Sequence, residues 1–401
     1  MIARIKPGRA CGEVTAPASK SMAHRLLIAA AMGEKLSTVR GISYCEDVLA
    51  SIDCLRALGA SITLDGDTAT VTGFGKRGAR PSDVLNCRES GSTLRFLIPI
   101  ASLSGEITEL CGSEYLMGRP LSVYEKIFAE RGMLFEKGET LRIKGPLMPG
   151  EYRIPGNISS QFITGLLFAL PTLDADSRII IDPPFESRSY AALTIDALNQ
   201  FGVDAYFENE LTVFIPGNQK YQSADVEVEG DYSGSAFTEA LGLLGGEVTV
   251  TGLSESSKQG DRIYREYYAL LKSGCPTLSV EDCPDLAPVL MALAAALNGA
   301  TLVGTARLAM KESDRGRVMA KELRKLGASV AVEENRITVH PCRITAPTER
   351  LCGHNDHRIV MSLSLLLTLV GGEIDGASAI TKSYPDFFLD LERLGIEVHI
   401  L

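Results

Sequence analysis

Several cations in this chain stand where a helix does not want them. Ser19-Lys20-Ser21-Met22-Ala23-His24-Arg25 opens an apolar stretch with Lys20 and Arg25 five residues apart. Five residues is roughly 140° around a helix, so both can flank its N-terminal end. That end carries partial positive charge, and a lysine there is misplaced unless an anion joins it. Arg95 and Arg358 hold similar early positions in two other apolar stretches, the latter after Asn355-Asp356-His357. Further cations sit in loop-like segments: Arg119 in Met117-Gly118-Arg119-Pro120, Lys311 and Arg315 in Lys311-Glu312-Ser313-Asp314-Arg315, and Lys382 in Thr381-Lys382-Ser383-Tyr384-Pro385-Asp386. The chemistry these groups can do is to gather phosphates and carboxylates. Any one of them is more simply a partner for a nearby Asp or Glu. Repetition at equivalent positions favours a ligand.

Other chemistries find no support. His354 and His357 have HxxH spacing but no third ligand nearby, so no metal is expected. No GxGxxG or GxxxxGK[ST] occurs, which removes the usual nucleotide-binding loops. The net charge is −10, opposite in sign to a general nucleic-acid binder. Anions must therefore be held by locally concentrated cations, against the field of the whole molecule. The longest nearly uninterrupted apolar run, Ile359–Val370, has 12 residues, short of the roughly 18–20 that span a bilayer. Met1–Ala10 has no apolar segment of a secretory signal. The nine cysteines include no CxxC, so free buried thiols and a cytoplasmic place are expected.

The elements that position these residues repeat. The chain has 401 residues, enough for two or three domains. Six almost wholly apolar stretches follow polar clusters: His24–Met32, Leu94–Leu103, Phe162–Leu170, Ala236–Leu244, Pro288–Leu297 and Ile359–Val370. The residues before them (Ser19, Ser90, Ser159, Ser233, Asp285 and Asn355) are good helix caps. A helix apolar on nearly all sides is buried on nearly all sides. Each is followed by an amphipathic stretch that stops at a glycine, such as Leu49–Leu58 before Gly59 and Val318–Leu326 before Gly327, with related stops at Gly132, Gly202, Gly274 and Gly395. From cap to stop the distances are 40, 42, 43, 41, 42 and 40 residues. From stop to next cap they are 31, 27, 31, 11 and 28, so the fourth unit has lost a hairpin's worth of chain. This predicts one compact α/β unit used six times, three per domain, with a division near Glu229. The six helix starts are then expected to face one inter-domain cleft and offer it their free amides.

Taken together, these segments resemble the 5-enolpyruvylshikimate-3-phosphate synthase family from about Ser19 to Phe388. The matching pieces are SKSxxxR (Ser19–Arg25), GSTLR (Gly91–Arg95), GRP (Gly118–Pro120), NISSQF (Asn157–Phe162) and SRSY (Ser187–Tyr190). They continue with VEGDYS (Val228–Ser233), PDLAP (Pro284–Pro288), KESDR (Lys311–Arg315), NDHR (Asn355–Arg358) and KSYPDF (Lys382–Phe387). The resemblance implies an α/β fold of two domains, an inside-out barrel of three βαβαββ units each with buried helices. It also implies a discontinuous domain, 1–18 with 229–401, beside a second of 19–228. The implied substrates are shikimate 3-phosphate and phosphoenolpyruvate, with no cofactor, nucleic acid or membrane partner and a monomeric chain.

By the same resemblance, shikimate 3-phosphate would contact Lys20, Ser21, Arg25, Ser159, Ser160, Gln161, Ser187, Tyr190, Asp285 and Lys311. Phosphoenolpyruvate would contact Lys20, Gly91, Arg119, Gln161, Arg315, Arg358 and Lys382. Asp285 would take the hydroxyl proton, and Glu312, with Lys20 assisting, would supply the proton to carbon. Two substrates of this kind bring roughly six negative charges together, counting each phosphate at about −1.5 to −2, and only a cation-rich site offsets that. The chain departs from the commoner pattern at Glu89-Ser90-Gly91-Ser92, at Phe96 and at Arg307. A carboxylate at Glu89 needs a partner, for which Arg88 or a site arginine is the candidate. Alternatives are the sister enolpyruvyl transferase acting on UDP-N-acetylglucosamine and a non-catalytic clamp-like scaffold. The SKS, SSQ and KESDR segments and the negative charge disfavour both.

Overall fold

The apolar stretches become helices, and those helices are the cores. In the computed structural model the described residues are 1–75 and 84–401. The chain divides into two compact units, Ala18–Glu229 and the pair Met1–Pro17 with Gly230–Leu401. In the first, helices Lys20–Met32, Gly91–Ala101 and Ser160–Ala169 are buried along almost their whole length. In the second, Tyr232–Leu243, Ala287–Ala296 and His357–Val370 take that place. Each unit has its own apolar core around its three helices. With roughly 25 cal/mol gained per Å² of apolar surface removed from water, no solvated face could supply as much stability as this all-round burial.

Among the described residues six sheets flank these helices, and five share one strand order. In Ala18–Glu229 one sheet runs Glu151–Pro155, Ser177–Asp182, Thr212–Ile215, Tyr206–Asn209, a parallel pair followed by two antiparallel neighbours. The sheets built on Ile107–Cys111 and Leu36–Arg40 repeat that order. In the other unit so do those built on Ala300–Val303 and Gly372–Asp375. The sixth sheet is only two-stranded, Glu247–Thr251 parallel to Cys11–Thr15. This is the unit whose spacing lacked a hairpin. The expected α/β architecture of repeated units with helices inside is observed.

The helix ends depart from expectation in detail. Ser19, Ser90 and Ser159 cap as expected, accepting from the amides of Met22, Thr93 and Gln161. The fourth cap is Asp231 rather than Ser233, and the sixth is Asp356 rather than Asn355. Asp285 is not the cap residue, a position held by Cys283 and Leu286. Its helix is entered through a short 3-10 turn, Pro284–Leu286, and its carboxylate is drawn to arginines instead. Five glycine stops have the left-handed backbone that favours glycine, with φ between 65° and 106°. Gly274 is extended at φ 174° and belongs to the shortened unit.

Buried polar groups tie the helices of Ala18–Glu229 together. His24 Nδ1 lies 2.8 Å from Ser51 Oγ, Ser51 Oγ lies 2.7 Å from Thr93 Oγ1, and Thr93 donates to Ser90 Oγ at 2.7 Å. Burial, then the charges of Lys20 and Arg25, hold His24 well below its ordinary 6.5. It is therefore neutral when folded, while the unfolded chain takes up a proton below about pH 6.5. Stability must fall with acidification, because the unfolded state binds more protons. Urea unfolding should show His24→Gln losing less stability than the parent between pH 6.5 and 5, by up to roughly 1.4 kcal/mol per pH unit. Parallel slopes would remove His24 from the acid response.

Candidate active site

Each unit gathers part of the expected residues at the entrances to its buried helices. In Ala18–Glu229, Lys20 is the first residue of its helix, and its Nζ donates to Asp47 Oδ2 at 2.8 Å. The counter-anion that its position demands is thus in part internal. Arg25, 3% exposed, is held differently. Its guanidinium donates to Thr194 Oγ1 at 2.9 Å, to the Ser21 carbonyl at 2.6 Å, to the Tyr190 carbonyl at 3.2 Å and to Thr164 Oγ1 at 3.4 Å. All four acceptors are neutral oxygens. Burial pushes this guanidinium down to about 10. A desolvated cation among neutral acceptors attracts an anion strongly, because those acceptors bring no opposite charge of their own.

A second cluster joins the neighbouring helices. Arg95 donates to Gln161 Oε1 at 2.6 Å and to the Pro120 carbonyl at 3.2 Å. Gln161 Nε2 donates to Ser92 Oγ at 3.0 Å. A Cβ added at Gly91 would run into the Arg119 guanidinium, so the missing side chain makes that approach possible. Ser159 accepts from the Gln161 amide at 3.3 Å as its cap, which leaves its hydroxyl hydrogen available. Ser160 follows it at the helix start. Ser187, at the start of Arg188–Gln200, has a left-handed backbone with φ 57°. Such strain in a non-glycine residue persists where surroundings over-determine it, often at ligand sites. Ser21 and Tyr190 contribute carbonyls to Arg25.

In the other unit the cations are already paired. Asp285 Oδ1 accepts from Arg315 Nη1 at 2.6 Å and lies 3.2 Å from Lys311 Nζ, while Oδ2 accepts from Arg358 Nη2 at 3.1 Å. Arg315, 1% exposed, also donates to Glu312 Oε2 at 2.6 Å and to Asp356 Oδ2 at 2.8 Å. Its charge is held on firmly: burial opposes it, but Asp356, Glu312 and Asp285 more than compensate. Burial pushes Asp285 up, yet Arg358, Lys311 and Arg315 together hold it well below the usual carboxylate range. Burial lowers Lys311, with Asp285 opposing. Burial and the charge of Asp285 push the nearby Asp261 up to about 7. Lys382 Nζ donates to the Asn355 carbonyl at 2.7 Å.

Sequence reasoning missed the acids that hold these cations. Asp47 and Asp356 pair with Lys20 and Arg315 across 27 and 41 residues. A first-turn acid, as at Glu46 and Asp47, was the available signal for the former. Arg88, a candidate partner for Glu89, is engaged by Glu46 and Asp53 at 2.5 and 2.7 Å. Arg307 donates to the Glu281 carbonyl at 2.6 Å. His354 contacts Glu322 rather than sharing a ligand set with His357. Among the described residues, no group of three or more His, Cys, Asp or Glu side chains could hold a metal ion. Among them also, no helix is long and apolar enough to cross a membrane.

Known proteins resemble this chain in fold and in sequence. A solved structure of EPSP synthase from Acinetobacter baumannii superposes with a TM-score of 0.80 over all of both chains, at 22% identity, which speaks to the fold. In sequence, a 3-phosphoshikimate 1-carboxyvinyltransferase of Clostridium botulinum (strain Alaska E43 / Type E3) is 38% identical, covering 99% of this chain and 98% of that relative. Another, from Clostridium kluyveri, is 38% identical over 98% of this chain and 97% of its own. The sequence model of one family, EPSP synthase (3-phosphoshikimate 1-carboxyvinyltransferase), matches residues 5–391. Likeness that runs end to end, through every one of the six units, cannot come from a borrowed domain: this chain belongs to the EPSP synthase family.

Proposed function

We infer that this chain transfers the enolpyruvyl group of phosphoenolpyruvate to the 5-hydroxyl of shikimate 3-phosphate and releases phosphate. Family membership supports the reaction. The observation that carries the residue-level reading is Asp285, a buried carboxylate gripped by Lys311, Arg315 and Arg358. In that grip it is a weak base, since three cations stabilise its ionised form. Substrate phosphate and carboxylate groups compete for the same cations. As they engage Arg315 and Arg358, Asp285 loses partners and its basicity rises toward the hydroxyl it must deprotonate. Anion binding would thereby switch on the base.

The chemistry balances in two steps. The hydroxyl oxygen bonds to C2 of phosphoenolpyruvate, its proton passes to Asp285, and C3 receives a proton from Glu312, with Lys20 assisting. The tetrahedral adduct then returns a C3 proton to Glu312 as the C2–O bond to phosphate breaks, and the departing phosphate takes up the proton held by Asp285. Proton transfers of this kind contribute about 10²–10⁴ in rate. Lys20, Ser21, Arg25, Ser159, Ser160, Ser187, Gln161, Tyr190 and Lys311 would hold shikimate 3-phosphate. Lys20, Gly91, Arg119, Gln161, Arg315, Arg358 and Lys382 would hold phosphoenolpyruvate. The reading requires both sets to reach the same pair of anions, and exclusion of water would strengthen each contact. One chain carries both sets, which suits a monomer, and nine free cysteines suit the cytoplasm.

Phosphate release should need both substrates together, with UDP-N-acetylglucosamine unable to replace shikimate 3-phosphate. Lys20→Met should raise KM for both substrates by about tenfold or more, as expected for loss of a charged hydrogen bond worth about 1.5–3 kcal/mol. If neither KM moves, the helix entrance at Lys20 is not where the substrates meet the chain.

A further inference from the structure

Glu322 lies outside every motif segment, yet it is a fully buried carboxylate on helix Arg315–Lys325. It sits seven residues after Arg315, two turns along, and so on the same face. Both residues of that face hold one short turn of chain. Arg315 donates to Asp356, and Glu322 Oε2 accepts from the Cys352 amide at 3.0 Å while Oε1 lies 2.9 Å from His354 Nε2. Lys325 Nζ is 2.9 Å from the same carboxylate. The turn is unusual in its backbone. His354 and Asn355 are consecutive non-glycine residues in the left-handed region, at φ 50° and 54°. Such a pair is held only where its surroundings over-determine it.

What the turn presents matters. The Asn355 carbonyl receives Lys382 Nζ at 2.7 Å. Asp356, next in the chain, receives Arg315 and Ser313 through Oδ2 and the Arg358 amide through Oδ1. Three cations assigned above to phosphoenolpyruvate thus meet the segment His354–Arg358, whose first two residues have left-handed backbone. We propose that Glu322 and His354 are positioning residues for enolpyruvyl transfer, pinning the His354–Asn355 turn so that Arg315, Arg358 and Lys382 are held ready for phosphoenolpyruvate. The inference rests on the assignment of those three cations under the proposed function. The Glu322 carboxylate stays ionised in this role: burial pushes it up, but His354, Lys325 and the Cys352 amide bring it below its ordinary value.

His354→Ala removes the grip but leaves a residue that dislikes the left-handed region. It should raise the KM for phosphoenolpyruvate by roughly tenfold, since displacement of a binding group by about an ångström is costly. The KM for shikimate 3-phosphate should stay within about twofold. His354→Gly, free to adopt the same backbone, should recover part of the loss. His354→Gln, which can still donate to Glu322, should recover most of it, and Glu322→Gln should behave as His354→Ala does. A merely structural role predicts something else: a lower Tm with the phosphoenolpyruvate KM unmoved, or both KM values raised alike, and either result overturns the proposal. Lys382→Ala separates the layers. If it raises the phosphoenolpyruvate KM while His354→Ala does not, the positioning role alone falls. If Lys382→Ala itself has no effect, the ligand assignment falls and takes the positioning role with it.

Discussion

Asp285→Asn should cut turnover by about a hundred- to ten-thousandfold while leaving both KM values close to those of the parent. Asparagine keeps the shape of the side chain and still offers its one oxygen to Arg315 and Lys311, giving up the acceptor that faces Arg358. What it cannot do is accept a proton. It also relaxes the charge pairing of those cations, so anions should bind no worse. The same geometry fixes a pH signature. In the free enzyme the three cations hold Asp285 well below the ordinary carboxylate range, so it is ionised and competent even in mild acid. With substrates competing for its partners, its affinity for protons rises. The acid limb of kcat, which reports the bound state, should therefore lie at higher pH than that of kcat/KM, which reports the free state. Phosphate release measured across pH tests both points. A near-normal rate in the asparagine variant would remove Asp285 from the chemistry, and coincident limbs would remove the proposed activation by anions.

Arg315→Met should be the most damaging change to stability among the site residues. Its guanidinium binds Asp285, Glu312 and Asp356 at once, and both it and Asp356 are almost wholly buried. Methionine fills much of the volume but leaves three neighbouring carboxylates without the cation that offsets them. Removing one partner of a buried ion pair costs about 3–5 kcal/mol, because the remaining charge is stranded. Urea unfolding should show a loss of that size, with phosphoenolpyruvate binding abolished. The loss should shrink in acid, where the stranded carboxylates can take up protons. Arg315→Lys should rescue little, since one ammonium cannot serve three carboxylates arranged around a planar fork. A methionine variant within about 1 kcal/mol of the parent would mean that this cluster contributes only as a solvated surface network does.

How much of this was legible in the sequence depends on whether the signal was local. The six helices were legible because continuous apolar runs between a polar cluster and a glycine leave few other ways to be buried. The shortened fourth unit was legible from spacing alone, and it reappears as the two-stranded sheet. Caps were less secure. Where two or three polar residues compete, as in Asp231-Tyr232-Ser233 and Asn355-Asp356, composition does not say whose oxygen reaches the amide. At Asp285 the prolines on either side impose a 3-10 entry, and the pull of three cations outweighs a single amide. In the candidate site, the cations stood out because their charge opposes the helix ends they occupy. Their partners did not. Asp47, Asp356 and Glu322 are ordinary acids in their own segments, and only the fold brings them to Lys20, Arg315 and His354.

The opening residues of the chain have a consequence for its biosynthesis. Ile2–Ile5 pairs between Gly372–Asp375 and Val398–Ile400, Cys11–Thr15 pairs with Glu247–Thr251, and Ile2 and Leu401 exchange backbone hydrogen bonds. Ile2–Ile5 and Cys11–Thr15 are therefore made long before their partners, whereas Ala18–Glu229 draws its strands from its own span. During translation that middle span can condense first, with the two unpaired strands trailing from it. Such strands expose open edges until their partners are made. Joining Leu401 to Met1 and opening the ring at residue 18 would abolish the wait, because these sheet partners would then be made within one stretch of nascent chain.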